Sequence, residues 1–479
     1  MRTAIAALAA AVLAGLAGAV PAATSSTALG QSERYIVVLA GVQGDEGFTS
    51  TGTAAAVQSA VTAAGGTVAN DLSKQIGVVV AESSVASFAS VLSSSALVQS
   101  VGKDKKFKGL PDGGPEQTAD PLESLQWDME QIRAPQAHNF QAGSRSVDVG
   151  ILDSGVDGRH PDFLVDGRGS NVDCARGRNS VSFLPSGPGV GTPDPCTDNQ
   201  FHGTHVAGTV AAQANGIGIV GVAPNVTLVP VKVCDASGYC YVSAVVDGIT
   251  YAGDIRLDVI NMSFFVDDDA FQESTEFKCN SDPTQRSFRQ AVERAIKYAR
   301  GRGVIPVAAL GNSDEDLGNP SEADAADCDV IPAETEGVIG VSSLGPDSEK
   351  AGYSNYGVPA NDVAAPGGNG TTGDCTTTIL STLPAGGYGC IQGTSMAAPH
   401  TAGVVALIVS QFGKLAKNGD VEISQSTVET ILKRSAVDLG LPGYDTCFGH
   451  GRIDALRAVE RDFSARSDAS APHCPEYAE

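Results

Sequence analysis

The chain has 479 residues, and its 31 Lys and Arg against 55 Asp and Glu give a formal net charge of −24. This length is enough for a large core and more than one domain. The acidic balance argues against nucleic acid or an anionic membrane as the partner, because both carry negative charge themselves.

The first 23 residues have the pattern of a secretory signal peptide. Arg2 precedes an apolar run over residues 4–20, and small residues follow it. This pattern predicts cleavage near Ala22 or Ala23 rather than a membrane span. No second long apolar run follows. We therefore expect a secreted, extracellular protein.

Residues 33–108 are predicted to form a small α+β unit. Strand-like runs at 33–39, 76–81 and 98–101 alternate with helical patterns at 53–64 and 85–92. Residues 109–121 follow as a Gly/Pro-rich linker. The linker either joins two permanent domains or is the region where an N-terminal propeptide is removed.

Beyond the linker, residues 122–463 have the pattern of an α/β domain with a mainly parallel sheet flanked by helices. Almost wholly apolar runs between helical segments are typical of strands buried on both faces. In such sheets, functional sites form at the carboxyl ends of the strands. The candidate strands are residues 147–152, 227–233, 259–263, 304–310 and 338–342. Residues 449–459 are predicted to form a closing helix, and residues 464–479 a loose polar tail.

The ten cysteines all lie after residue 170, and an even number in an exported chain favours disulfides. None of them form a CxxC pair, so a zinc site is disfavoured. The sequence leaves the connectivity open. Pairing of neighbours along the chain is the simplest arrangement, and it gives Cys174–Cys196, Cys234–Cys240, Cys279–Cys328, Cys375–Cys390 and Cys447–Cys474.

Four polar side chains stand at strand ends or helix starts. Asp153 closes one predicted strand, and Asn312 follows another across a glycine. His202 and Ser395 each begin a predicted helix. A serine nucleophile needs an adjacent base, and the base needs a carboxylate that fixes its tautomer. Asp153, His202 and Ser395 have the residue types for these roles, and Asn312 has an amide that can donate to an oxyanion.

Each of these residues also has an ordinary explanation when it is taken alone. Ser395 is a suitable N-cap, Asp153 a turn residue and Asn312 the start of an Asx-turn. His202 and His205 could form a metal pair, but no HExxH pattern accompanies them.

Three motifs resemble those of subtilisin-like serine proteases: ILDSGVD at 151–157 with HPD at 160–162, HGTHVAGT at 202–209 and GTSMAAPH at 393–400. The resemblance covers residues 125 to about 459. It implies an endopeptidase acting on proteins or peptides, with Ser395 as nucleophile, His202 as general base, Asp153 orienting His202, and Asn312 donating to the oxyanion. It also implies a zymogen that processes itself, with residues 33–108 as an inhibitory propeptide. We expect a monomer.

The resemblance further implies a structural Ca²⁺, with no cofactor needed for the chemistry. Residues 211–219 match the spacing of the family's calcium loop, and oxygen ligands suit this cation. A Gly-rich turn with a solvated Asp162 is the alternative. The expected ligands are Asp162, Asn215, Glu123 and the carbonyl oxygens of Gln213, Ile217 and Ile219.

The sequence departs from the family pattern in three places. Phe264 and Phe265 stand where the family has a small, Gly-containing segment. They either reshape the primary specificity pocket or pack under the insertion 267–286. The acidic run 314–316 either favours basic substrates or is a solvated loop. The long segment between Asp162 and His202 is predicted to be a surface loop closed by a disulfide.

Two other functions use the same fold. One is a secreted binding protein without catalysis, which the complete Asp/His/Ser/Asn set argues against. The other is a transferase that forms peptide bonds through the same acyl-enzyme, and nothing in the sequence separates it from a hydrolase.

Overall fold

A computed structural model describes residues 32–44, 47–108, 122–165, 169–181, 194–265, 283–318, 330–417 and 419–468. The predicted signal peptide, the linker 109–121 and the cysteines Cys279, Cys328 and Cys474 lie outside the described residues.

The N-terminal α+β unit contains a four-stranded antiparallel sheet in the order β4-β5-β1-β6. One face packs on the two helices, and the other joins the core of the region that follows. β4 was not predicted, because its exposed polar residues hide the strand pattern. The elements are β1 (Glu33–Leu39), β2 (Gly41–Gly44), β3 (Gly47–Ser50), α1 (Ala54–Ala63), β4 (Gly66–Leu72), β5 (Val78–Ser83), α2 (Phe88–Ser93), β6 (Val98–Lys103) and β7 (Lys106–Lys108).

The larger region is built on a seven-stranded parallel sheet in the order β11-β12-β8-β14-β15-β16-β17. Its elements are α3 (Trp127–Gln131), α4 (Ala134–His138), β8 (Asp148–Asp153), β9 (Leu164–Val165), β10 (Gly169–Ser170), β11 (Arg178–Asn179), α5 (His202–Ala211), β12 (Thr227–Lys232), β13 (Tyr239–Tyr241), α6 (Val242–Asp254), β14 (Val259–Met262), α7 (Pro283–Arg300), β15 (Ile305–Ala309), β16 (Ile339–Leu344), β17 (Val363–Pro366), β18 (Ile379–Leu383), β19 (Gly387–Ile391), α8 (Thr394–Phe412), β20 (Lys414–Leu415), β21 (Val421–Glu422), α9 (Gln425–Ser435) and α10 (Ala455–Glu460).

The five predicted parallel strands are confirmed to within two residues at each end. β11 and β17 were missed because they have only two and four residues. The predicted closing helix begins only at Ala455, since Gly449 and Arg452 instead form bridges to β17.

Helices cover both faces of the sheet. Successive residues of a strand point to opposite faces, so Val149 and Ile151 of β8 face α5 and α8, while Leu152 faces α6 and α7. α8 is long and apolar enough to span a membrane, but 83% of its apolar window is buried in the protein. Within the described residues it is therefore a core helix.

Three predicted disulfides are confirmed: Cys174–Cys196, Cys234–Cys240 and Cys375–Cys390. Cys447 is also disulfide-bonded. The expectation of a loose tail is wrong for residues 464–468. Backbone hydrogen bonds from Asp438 to Arg466 (2.9 Å) and from Asp468 to Asp438 (3.0 Å) attach this segment to the protein body.

Candidate active site

Asp153 and His202 are in direct contact in the interior of the protein. Asp153 is the last residue of β8, and His202 is the first residue of α5. Both carboxylate oxygens of Asp153 lie 3.0 Å from Nδ1 of His202. A proton on Nδ1 donates to this carboxylate, which leaves Nε2 as the basic nitrogen. Among the residues that the structure describes, Nε2 has no hydrogen-bond partner.

Ser395 is the second residue of α8 and is 9% exposed. At this position it lies in the first turn, where backbone N–H groups lack helical partners and the helix dipole is positive. Its hydroxyl donates to the backbone carbonyl of Ser263, at 3.1 Å. The hydroxyl therefore faces Ser263 and not Nε2 of His202 in this conformation.

Asn312 follows β15 and lies beside the start of α8. The backbone N–H and the hydroxyl of Thr394 both donate to its Oδ1, each at 2.9 Å. The Thr394 hydroxyl in turn accepts from the N–H of Gly311, at 3.1 Å. These bonds fix the orientation of the amide, so its Nδ2 donors point away from Thr394 on an exposed side chain. An amide held in this way is pre-organised to donate to an anion.

The sheet order explains why these residues meet. β8, β14 and β15 are adjacent parallel strands, and Asp153, Ser263 and Asn312 lie at or just after their carboxyl ends. Ser263 and Thr394 were not recognised as site residues from the sequence. The position of Ser263 at the end of a buried strand was the only signal for it.

His205 belongs to the core and not to a metal pair with His202. Its Nε2 donates to the carbonyl oxygens of Ile379 and Gly389, at 3.0 and 3.2 Å. Burial and the neighbouring His202 lower the pKa of His205 to about 3. His205 is therefore a neutral side chain that ties α5 to the β18–β19 hairpin.

With this geometry established, comparison with known proteins identifies the family. The sequence profile of the subtilase family matches residues 144–451. The chain belongs to the subtilase family. Like other members it is a serine endopeptidase, a hydrolase that needs no cofactor for catalysis and acts on proteins or peptides. The match includes Asp153, His202, Asn312 and Ser395 within its range.

Curated relatives confirm the assignment over most of the chain. Subtilisin NAT of Bacillus subtilis subsp. natto is 35% identical over 340 residues, which is 71% of this chain and 72% of that protein. The alkaline protease of Alkalihalobacillus alcalophilus is 32% identical over 337 residues, 70% of each chain. The family is therefore shown by individual relatives as well as by the family profile.

Solved structures show the same fold. The epidermin leader peptide processing serine protease of Staphylococcus aureus superposes with a TM-score of 0.68 and 21% identity, covering 90% of this chain and 98% of that one. A lanthipeptide protease has a TM-score of 0.57 and 26% identity, covering 70% and 93%.

The expected calcium ligands lie partly together. The loop 213–219 wraps around Asp162, which is buried. The backbone carbonyl of Asp162 accepts from the N–H of Gln213 at 2.7 Å, and Oδ2 of Asp162 accepts from the N–H of Ile219 at 2.9 Å. Oδ1 of Asn215 accepts from the N–H of Ile217 at 3.2 Å. Glu123 is exposed and follows Leu122, whose N–H donates to the loop at Gly218, at 3.1 Å. The solvated Asp162 of the alternative is excluded by its burial.

Within the described residues no cluster of three His, Cys, Asp or Glu side chains is suited to a metal. A cation at the 213–219 loop would therefore depend on backbone carbonyl oxygens, with Asp162 and Asn215 as side-chain ligands close at hand. This set contains only oxygen atoms, so its chemistry fits Ca²⁺.

The departures from the family pattern have structural explanations. Phe264 and Phe265 are buried in the core formed with α6 and α7, which favours packing over an open pocket wall. Asp314 pairs with Lys350 at 2.6 Å, and Asp316 accepts from the N–H of Gly318 at 3.0 Å. The acidic run is thus partly neutralised and held within its own loop.

Proposed function

We propose that Ser395, His202 and Asp153 form the catalytic triad of this serine endopeptidase. The Ser395 oxygen attacks the carbonyl carbon of the scissile bond while its proton passes to Nε2 of His202. The same proton then goes to the leaving amine, and an acyl-enzyme remains on Ser395. Water, activated by His202, hydrolyses this ester and regenerates the serine.

Asn312 and the backbone N–H of Ser395 are proposed to donate to the oxyanion of each tetrahedral intermediate. Before attack, the Ser395 hydroxyl has to turn from the carbonyl of Ser263 to Nε2 of His202. Contacts of this kind often form only when substrate is bound. The contact between Asp153 and Nδ1 of His202 is the observation that carries the proposal, since it leaves Nε2 as the base.

The triad is tested with a serine-directed phosphonate and with Ser395→Ala. We expect wild-type protein to gain one phosphonyl group and lose hydrolysis, whereas Ser395→Ala should gain no phosphonyl group and should hydrolyse no peptide before or after the treatment. Failure of the wild type to react would refute the triad and favour a binding protein. Peptide products that incorporate added amines in preference to water would instead favour a transferase.

We also propose that the protein is a secreted zymogen whose N-terminal unit, residues 33–108, inhibits the enzyme until it is cut off. Support comes from β7, the last strand of this unit, which pairs antiparallel with β13. Phe107 on β7 is buried and meets the ring of Phe288 edge-on, with centroids 6.3 Å apart.

Further polar contacts hold the N-terminal unit on α6 and α7. Arg294 donates to the carbonyl oxygens of Leu39 and Gly77, at 3.0 and 3.2 Å. The hydroxyl of Ser243 donates to Asp104 at 2.5 Å. β7 leads directly into the predicted linker, so cleavage there would free the strand that occupies the edge of β13.

Intact mass and N-terminal sequencing of secreted wild-type and Ser395→Ala protein test this proposal. We expect the wild type to begin within residues 109–125 and the variant to keep residues 33–108. If both proteins begin just after the signal peptide, the N-terminal unit is a permanent domain. If the purified variant loses the unit unaided, self-processing is refuted.

We propose a structural Ca²⁺ at the 213–219 loop, held by Asp162, Asn215, Glu123 and the carbonyl oxygens of Gln213, Ile217 and Ile219. Calcium binding to the native state raises thermal stability in proportion to the logarithm of its concentration. We therefore expect chelation to lower the midpoint of thermal unfolding, and Asn215→Ala to reduce the difference between calcium and chelator. An unchanged midpoint of thermal unfolding in chelator would refute the site.

We also propose that the processed enzyme is a monomer, and we expect light scattering to give the mass of a single chain.

A further inference from the structure

Asp198 is a buried carboxylate just before α5 that accepts hydrogen bonds from five donors. It is 7% exposed. Its Oδ1 accepts from the hydroxyl of Ser154 at 2.9 Å and from the N–H groups of Gln200 and Phe201 at 3.0 and 2.9 Å. Its Oδ2 accepts from the N–H and the hydroxyl of Thr204, at 2.9 and 2.7 Å. Both carboxylate oxygens are thus fully used.

These bonds complete the start of the helix that carries His202. The first N–H groups of a helix have no partner within it. Here the N–H of His202 donates to the Gln200 side chain at 2.8 Å, that of Gly203 to the Ser154 hydroxyl at 3.0 Å, and that of Thr204 to Asp198. All three bonds depend on residues that contact Asp198 or on Asp198 itself.

The residue before His202 has a backbone conformation that needs outside support. Phe201 has φ 115°, a left-handed value that is unfavourable for a bulky residue. The bond from its N–H to Asp198 holds it in this conformation. Because the torsion at Phe201 sets the direction in which α5 leaves the loop, it also sets the position of the His202 ring.

Asp198 is also connected to Asp153, through Ser154. Ser154, whose hydroxyl donates to Asp198, also donates its N–H to Oδ1 of Asp153 at 2.7 Å. The backbones are close here, since a Cβ on Gly203 would clash with the carbonyl oxygen of Gly155. Lys232, the last residue of β12, is buried, and its ammonium group donates to the carbonyl of Ser154 at 2.6 Å. This bond helps to hold the loop after β8 in place.

We propose that Asp198 is a positioning residue for the reaction, which sets His202 against Asp153 by joining the loop after β8 to the start of α5. The inference rests on the proposed role of His202 as the base. Asp198 touches no reacting atom. It acts by keeping both carboxylate oxygens of Asp153 within 3.0 Å of Nδ1, the contact that stabilises the charged imidazole formed during catalysis.

The test compares Asp198→Asn and Ser154→Ala with the wild type. Asn keeps the size of Asp198 but turns one acceptor into a donor that opposes N–H or hydroxyl donors. Ser154→Ala removes the hydroxyl that joins the loop after β8 to Asp198 and to the N–H of Gly203, and it leaves the other bonds of Asp198 in place. We expect kcat to fall about 10- to 100-fold in Asp198→Asn, and less in Ser154→Ala, with KM nearly unchanged. The acid limb of kcat/KM should move to lower pH, because the charged imidazole is less well stabilised.

Asp454→Asn is the matched control. Asp454 is a buried N-cap of α10 that accepts from the N–H of Arg457 at 3.0 Å. We expect this variant to lose thermal stability and to keep the wild-type kcat and pH profile. A change in the profile that is common to all three variants would show a general effect of helix capping and would overturn the proposal.

A second readout does not depend on activity. In full-length Ser395→Ala protein, the Nδ1 proton of His202 shared with Asp153 should give a downfield proton resonance. We expect Asp198→Asn to shift or broaden it and Asp454→Asn to leave it unchanged. If Asp198→Asn does not fold, Ser154→Ala takes its place in this experiment.

Unchanged pH profiles and an unchanged resonance in Asp198→Asn and Ser154→Ala would reduce Asp198 to a structural cap and overturn the proposal. A wild type that does not react with phosphonate would refute the triad instead. The resonance would still report whether Asp198 holds the contact between His202 and Asp153.

Discussion

Ser263 and Ser395 exchange two hydrogen bonds across the candidate active site. The Ser395 hydroxyl donates to the Ser263 carbonyl at 3.1 Å, and the Ser263 hydroxyl donates to the Ser395 carbonyl at 2.8 Å. Asn261 completes the set, with its Nδ2 donating to the Ser263 hydroxyl at 2.8 Å. The start of α8 is therefore fastened to the end of β14 at the residue proposed as nucleophile.

Ser263→Ala should lower stability more clearly than activity. The change leaves buried groups of Asn261 and Ser395 without their partner, at a cost of about 1–3 kcal/mol. The carbonyl of residue 263 remains, so kcat should fall less than about tenfold. Urea unfolding in the Ser395→Ala background and kinetics of the active enzyme measure the two effects. A loss of activity as large as that of Ser395→Ala would contradict this view.

Asn312→Ala should reduce kcat by about 10²–10³ and leave KM almost unchanged, because its amide is proposed to act on the developing oxyanion and not on bound substrate. Steady-state kinetics on one peptide substrate measure both constants. Thr394→Val is the companion variant: it removes one of the two bonds that orient the Asn312 amide and should give a smaller loss of kcat. A rise in KM at constant kcat would place Asn312 in ground-state binding instead.

Asp104 should make the attachment of the N-terminal unit depend on pH. Burial raises the pKa of this carboxyl from 3.8 to about 6, although its bonds with Ser243 and the charge of Arg34 act in the opposite direction. The packed state therefore holds the proton more tightly than the unfolded chain does. The resulting stabilisation is complete below about pH 3.8 and is lost as the pH rises through about 6.

Thermal unfolding of full-length Ser395→Ala protein between pH 4 and 8 checks this prediction. Relative to the same protein with Asp104→Asn, the midpoint of thermal unfolding should fall as the pH rises from about 4 to about 7. Glu33→Gln is the control, since Glu33 is an exposed carboxylate on the same unit. Parallel curves with and without the Asp104→Asn substitution would rule out Asp104 as the titrating group.

Replacing both Cys174 and Cys196 by Ala should destabilise the protein by about 3 kcal/mol, because the disulfide restricts the unfolded chain. The bridge spans 22 residues and packs against the loop after β8, where a Cβ on Gly158 would lie 2.9 Å from the Cys174 sulfur. Denaturant unfolding in the Ser395→Ala background gives the value. The Cys375–Cys390 pair, which spans 15 residues, should cost a similar amount when removed. No loss for either pair would show that chain entropy does not set their contribution.

The sequence by itself determined the parts of this protein that depend on local pattern. Apolar runs located five strands of the sheet. A small-residue turn before an apolar segment placed Ser395 at a helix start, and the small residues after His202 indicated that a helix begins there. The separation of cysteines along the chain was enough for three disulfides, because neighbours in sequence are often neighbours in space. Short or polar strands such as β4, β11 and β17 carried too little pattern to be recognised.

Only the tertiary structure decided which of these parts meet. The order of strands in a parallel sheet does not follow the order in the chain, so the meeting of Ser263 and Ser395, 132 residues apart, has no local signal. Asp198 reads as an ordinary loop residue, and its role emerges only when Ser154, from another strand end, reaches it. The pairing of β7 with β13 likewise joins two strands that lie far apart in the sequence. Such contacts form because separate segments bury apolar surface against each other. The residue pattern within one segment does not predict which other segment it will pack against.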